Sequence, residues 1–128
     1  MLEEKNPAIV LRVKPYGESD KIVTFLTRDL GKVVGIAKGA KRSRRRFVNV
    51  LELFTHVELR FRSKTSNALV FVNACELIQT FRKPSLDIEM FAAANYIAEL
   101  TDAMVAGKEA GPEFYQLLLN SLQSLEDL

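Results

Sequence analysis

The chain has 128 residues, of which 48% are hydrophobic and 27% charged, with a formal net charge of +2. That supplies a real core, and no window holds the roughly 18 consecutive apolar residues that a membrane-spanning helix needs. Cys75 is the one cysteine, which excludes an internal disulfide and a cysteine-rich zinc site.

The chain opens with Met1-Leu2-Glu3-Glu4-Lys5-Asn6, which is partly acidic and has no apolar h-region, so no signal peptide is expected and a cytoplasmic setting is the default. A first strand runs through Ala8 to Lys14, with Ile9, Leu11 and Val13 expected on one face. Pro15 to Asp20 is turn chemistry, and Lys21 to Arg28 is a second strand rich in β-branched and aromatic residues. Asp29-Leu30-Gly31 makes a hairpin connection in which Gly31 takes a positive φ. Lys32 to Lys38 is the third strand, and Gly35 inside it marks a bulge or a sharp bend of the kind that closes barrels.

The fourth strand, Leu53 to Arg62, alternates most clearly. Leu53, Thr55, Val57, Leu59 and Phe61 share one face, and Phe54, His56, Glu58, Arg60 and Arg62 share the other. After a polar loop, Ala68 to Ile78 returns as the fifth strand, and Phe25, Phe61 and Phe71 are assigned to the interior. Five short strands with glycine punctuation suit a Greek-key barrel of the OB type, with an SH3-like barrel as the competitor.

Past Pro84 the period becomes helical. Met90, Ala94, Ile97, Thr101 and Met104 form a stripe with Phe91, Ala98 and Val105 beside it, Ser85 or Asp87 caps the start, and Gly107 stops it. Gly111-Pro112 opens a second helix, whose stripe is Phe114, Leu117, Leu118, Ser121, Leu122 and Leu125. The fold class is therefore mainly β with a C-terminal α part: a barrel over residues 1–83, then two helices over residues 84–128 that begin a larger, incomplete helical domain.

The net charge conceals an asymmetry at that same boundary. Residues 1–83 carry 17 Lys and Arg against 8 Asp and Glu, whereas residues 84–128 carry 1 against 8. The basic part points to a polyanionic partner. Its densest stretch spans Lys41 to Arg46, where five of six residues are cationic. Such charges repel one another, predicting a mobile loop that a polynucleotide would neutralise as counterions leave. Lys38, Lys41, Arg42, Arg44, Arg45 and Arg46 are the candidate phosphate contacts, because guanidinium groups present a planar bidentate fork. Lys32, Arg60, Arg62 and Lys64 extend the positive field. Phe47, Phe54, His56 and Tyr16 are candidate stacking platforms for unpaired bases, weighed against the plainer reading that each packs the core or rim.

Catalysis finds little support. His56 is the sole histidine and lacks triad partners, and Cys75 reads as a small buried hydrophobe. Glu18, Asp20 and Asp29 sit in turns, where carboxylates are routine, so neither an enzyme nor a cofactor site is expected.

Three stretches in order carry a resemblance: Pro15-Tyr16-Gly17-Glu18-Ser19-Asp20-Lys21-Ile22-Val23, then Leu26-Thr27-Arg28-Asp29-Leu30-Gly31-Lys32, then Ala37-Lys38-Gly39-Ala40-Lys41-Arg42. Together they resemble the N-terminal half of the RecO family of DNA repair proteins, a likeness that continues through the helices after Pro84. It implies an OB-fold followed by a helical domain, in a recombination mediator of the RecF pathway. Such a protein binds single- and double-stranded DNA, anneals complementary strands, and works with RecR and the single-strand-binding protein SSB in loading RecA. Carried over, the DNA-facing positions are Lys38, Lys41, Arg42, Arg44, Arg45 and Arg46, with Arg12 a weaker member. The family's zinc segment and SSB-tail site belong to a later helical region that this sequence does not contain. The competing reading is a protein-interaction adaptor, in which the basic loop meets an acidic partner peptide. Both readings place the protein in the cytoplasm, the first of them at the nucleoid.

Overall fold

A computed structural model describes residues 2–42, 47, 51–63, 69–105 and 111–128 of the chain. Its five strands are β1 (Glu4–Tyr16), β2 (Asp20–Thr27), β3 (Gly31–Ala37), β4 (Thr55–Arg62) and β5 (Val70–Thr80). They close into a barrel in the order β1-β2-β3-β5-β4, with β4 returning to β1. All neighbours are antiparallel except β3 and β5, which are parallel. This is the five-stranded OB arrangement, and it sets the SH3-like alternative aside.

β1 serves two neighbours, pairing with β4 over Glu4 to Ile9 and with β2 over Ala8 to Tyr16. A register shift between Val10 and Arg12 makes Leu11 an extra residue. The shift corrects the expected face. Ala8, Val10 and Val13 join the barrel interior, while Ile9 and Leu11 point outward to the helices. One inserted residue reverses the alternation for everything after it.

Gly35 pairs with β2 in unbroken register, so it is not a bulge. It lies where β3 meets β5, and among the described residues Gly35 pairs there with Val70 and Ile36 with Phe71. A Cβ there would fall 2.7 Å from Val72 Cγ2 and 2.9 Å from Val70 Cγ2. The barrel closes because this position has no side chain. At the β2–β3 turn Gly31 has φ of +69°, as its sequence predicts, and Thr27 Oγ1 accepts from the Leu30 amide at 2.9 Å.

The fourth strand begins at Thr55 rather than Leu53, because Phe54 takes a φ of +65°. That conformation disfavours a bulky side chain by about 1–2 kcal/mol. Burial of the Phe54 ring and its edge-on contact with Phe91, at 6.4 Å between centroids, hold it.

Two cores result. The barrel interior gathers Val23, Phe25, Val57, Leu59, Phe61 and Val72 among others. A second core joins Ile9, Leu11, Leu26, Phe54 and Phe81 of the barrel side to the helices. After a single turn, α1 (Lys83–Leu86), come α2 (Ile88–Met104) and α3 (Pro112–Glu126). Asp87 caps α2 by accepting from the Glu89 and Met90 amides, and Gly111-Pro112 opens α3.

The buried faces of both helices match the expected stripes in part. α2 buries Ala94 and Ala98, small residues that bring it close to the sheet, and leaves Met104 exposed. α3 buries Tyr115, Leu118 and Leu122 while Leu117 is 64% exposed. Gly107 lies outside the described residues. Among the described residues, no helix is long and apolar enough to cross a membrane.

Candidate nucleic-acid interface

The start of the β3–β4 connection is stitched to the β1–β2 turn. Gly39, with φ of +69°, donates its amide to Asp20 Oδ1 at 2.8 Å, and the Lys41 amide donates to Ser19 O at 3.0 Å. Lys41 Nζ donates to Gly17 O at 3.0 Å, and the Arg42 amide closes a turn on Gly39 O at 3.0 Å. Ala40 is buried beneath this turn. Lys38, Lys41 and Arg42 are consequently exposed on a hydrogen-bonded platform at one end of the barrel. Arg44, Arg45 and Arg46 lie outside the described residues, as does Lys64.

Phe47 does not stack outward. It is 5% exposed and packs in the barrel interior, so its contribution is to anchor the chain after the basic segment. The other expected platforms divide. Phe54 and His56 are buried against the helices and cannot meet a base, whereas Tyr16, at the end of β1, is 52% exposed. His56 shares a hydrogen bond with the Tyr115 hydroxyl, and burial lowers the His56 pKa below its usual value and raises that of Tyr115. Burial likewise pushes the Cys75 thiol up to about 12, in keeping with a small core residue.

Two flanking cations are engaged elsewhere. Lys32 Nζ pairs with Asp102 Oδ1 of α2 at 3.0 Å. Arg60 pairs with Glu3 at 2.9 Å and approaches Glu76 at 4.0 Å. The Glu3 carboxyl also accepts from Asn73, and these two hydrogen bonds, Asn73's first, hold it below the usual carboxylate range. Arg12 is exposed and lines a groove with Glu99 and Asp102 of α2, an acidic setting for a phosphate contact. The turn carboxylates have structural duties: Asp20 holds Gly39, and Asp29 is bound by Arg28 and Asn6.

Phe71, expected inside the barrel, is on its outer face. Val70 and Val72 on either side of it point inward, so alternation sends Phe71 out. The ring is half-buried, with Lys38 Nζ and the Arg62 guanidinium each 5.8 Å from its centroid. That is cation–π distance. Strand register sets Phe71 in a lateral row, Lys14–Ile22–Ile36–Phe71–Arg62, running from β1 across β2, β3 and β5 to β4. Lys14 and Arg62 are exposed, while Ile22 and Ile36 are half-buried. The helices cover a different part of the outer face, around Ile9, Leu11 and Leu26.

Two family models match the chain: Recombination protein O N terminal over residues 1–81, and Recombination protein O C terminal over residues 85–128. A protein of Syntrophobacter fumaroxidans named DNA repair protein RecO is 38% identical over 125 residues, covering 98% of this chain and 49% of that protein. The protein of the same name from Syntrophus aciditrophicus is 37% identical over 123 residues, covering 96% of this chain and 48% of the relative. That from Symbiobacterium thermophilum is 40% identical over 114 residues, covering 89% and 44%. The chain spans about half the length of these curated relatives. With its OB barrel, its barrel-docked helices and matches along nearly its whole length, the chain belongs to the RecO family.

Proposed function

We propose that this chain is the DNA-binding part of a recombination mediator in homologous-recombination repair, acting without covalent chemistry. The observation that carries the reading is the platform of Lys38, Lys41 and Arg42, fixed by backbone and side-chain hydrogen bonds to the β1–β2 turn and followed in sequence by Arg44, Arg45 and Arg46. A rigid barrel that presents closely spaced cations neutralises phosphates on single- and double-stranded DNA alike. Neutralising two strands at once lowers their mutual repulsion and assists annealing. Arg62 extends the contact surface, and Arg60 joins it in exchange with Glu3. Residues 1–83 form the binding unit, and residues 84–128 begin the helical unit that docks on it. Membership of the RecO family supports a role in assisting RecA loading with RecR and SSB, in the cytoplasm at the nucleoid.

The test is a titration of labelled oligonucleotides at several salt concentrations, using the chain and a variant with Arg44, Arg45 and Arg46 changed to Ala. The salt slope for single strands should flatten by about 2, at roughly 0.7 per lost phosphate contact, with weaker binding to both strand forms. Equal affinity and equal slope would remove the basic segment from the function.

A further inference from the structure

We infer that the row Ile22–Ile36–Phe71 is a floor for unpaired bases, with Phe71 the stacking platform through which the barrel distinguishes single from double strands. The inference rests on the proposed DNA binding and assigns the basic segment and Phe71 different tasks.

The argument begins with placement. The three apolar residues sit side by side on β2, β3 and β5 and are only half-buried, in a part of the sheet that the helices leave uncovered. Neighbouring strands are about 4.8 Å apart, so the floor from β2 to β5 is ~10 Å wide. Cations border it on both sides, Lys14 at the β1 end and Arg62 at the β4 end, and Lys38 reaches the ring from the exit of β3. The row continues toward the platform already described, because Lys38 directly precedes the Gly39 that Asp20 holds.

Next comes the chemistry. Two like charges drawn to one ring repel each other, and the negative face of the ring offsets that repulsion. A strand with free bases satisfies all three groups together. A base lies on the ring while the long Lys38 and Arg62 side chains swing to the phosphates on either side of it. Duplex DNA offers only the phosphates, because its bases are stacked on one another and present no free π-face. The cations therefore serve both strand forms, and the ring serves only one.

The experiment compares the chain with its Phe71→Leu and Phe71→Trp variants, using labelled oligothymidylate and a duplex of matching length. Phe71→Leu keeps the apolar bulk and removes the π-face, so oligothymidylate affinity should fall about tenfold while duplex affinity holds. Phe71→Trp should retain single-strand affinity. It also introduces the only tryptophan in a sequence that has none, and its emission should be quenched by oligothymidylate and not by duplex. Unchanged oligothymidylate binding by Phe71→Leu, equal loss on both DNA forms, or emission indifferent to saturating oligothymidylate would each overturn the inference. If the parent chain bound neither form, the proposed function would fail with it. Normal parent binding with an indifferent Phe71→Leu would overturn the floor alone.

Discussion

Closure of the barrel at Gly35 makes a quantitative claim about one methyl group. Gly35 does not take a left-handed φ, so alanine is conformationally permitted there and the obstacle is steric. The added Cβ would stand 2.7 Å from Val72 Cγ2, 2.9 Å from Val70 Cγ2 and 3.3 Å from Val70 O. Valine is stiff at χ1, so neither methyl can rotate away cheaply, and β3 must instead part from β5. Overpacking of this kind destabilises by about 1–3 kcal/mol, while loss of the glycine's freedom in the unfolded chain returns about 0.4–1 kcal/mol. Gly35→Ala should therefore lose about 1–2 kcal/mol, or ~3–8 °C in Tm for a domain of this size. Urea and thermal unfolding followed by circular dichroism measure it. A Val72→Ala partner makes room for the new methyl, so the double variant should be more stable than the sum of the singles by ~0.5 kcal/mol or more. A Gly35→Ala chain as stable as the parent, or strict additivity with Val72→Ala, would refute the close-approach account.

Two further outcomes follow from the buried histidine and from the acidic residue beside the interface. Burial lowers the His56 pKa, so the unfolded chain takes up the proton more readily than the folded one. The stability contributed by neutral His56 is thus complete above about pH 6.5 and declines as pH falls below that value; unfolding free energies measured from pH 7.5 to pH 5 should show the decline, and a His56→Gln chain with an equally steep profile would contradict it. Glu3 engages Arg60 at 2.9 Å, so Glu3→Gln should release that cation for phosphate, tighten single-strand binding and steepen the salt slope by ~0.7. An unaltered slope would show that Arg60 never reaches DNA.

The barrel was legible in the sequence because its signals are local. Alternation and glycine punctuation located β2, β3 and the Gly31 turn to within a residue or two. The face of β1 was misread beyond Leu11, since a bulge adds one residue without altering composition. The α2 stripe is right at Ala94, with Ala98 and Val105 beside it, but it runs on to Met104, which the structure leaves exposed. At the interface, the density of cations between Lys41 and Arg46 was visible at once. The ion pairs that engage Lys32 and Arg60 were not, because Asp102 and Glu3 are 70 and 57 residues away along the chain. The outward setting of Phe71 escaped for a different reason. The ring was assigned inward by residue type, although Val70 and Val72 beside it already gave the parity that turns it outward.

Under the proposed DNA binding, that parity would let the outer sheet face serve two uses without conflict. The bulge at Leu11 directs Ile9 and Leu11 to the helices and brings Val13 back inside, leaving Lys14 and its row across Ile22, Ile36 and Phe71 for another partner. The helical part that takes the first region, residues 84–128, carries 8 Asp and Glu against 1 Lys and Arg, and Asp102 meets Lys32 where it joins the barrel. A polyanion approaching the protein is repelled by the helical side and drawn to the row and platform side. Docking acidic helices on one region of the sheet thus sharpens electrostatic steering toward the other. Reversing Asp102 to Lys removes repulsion on the helical side and adds two units of positive charge, so DNA association should quicken at low salt and fall more steeply with rising salt, while dissociation stays the same.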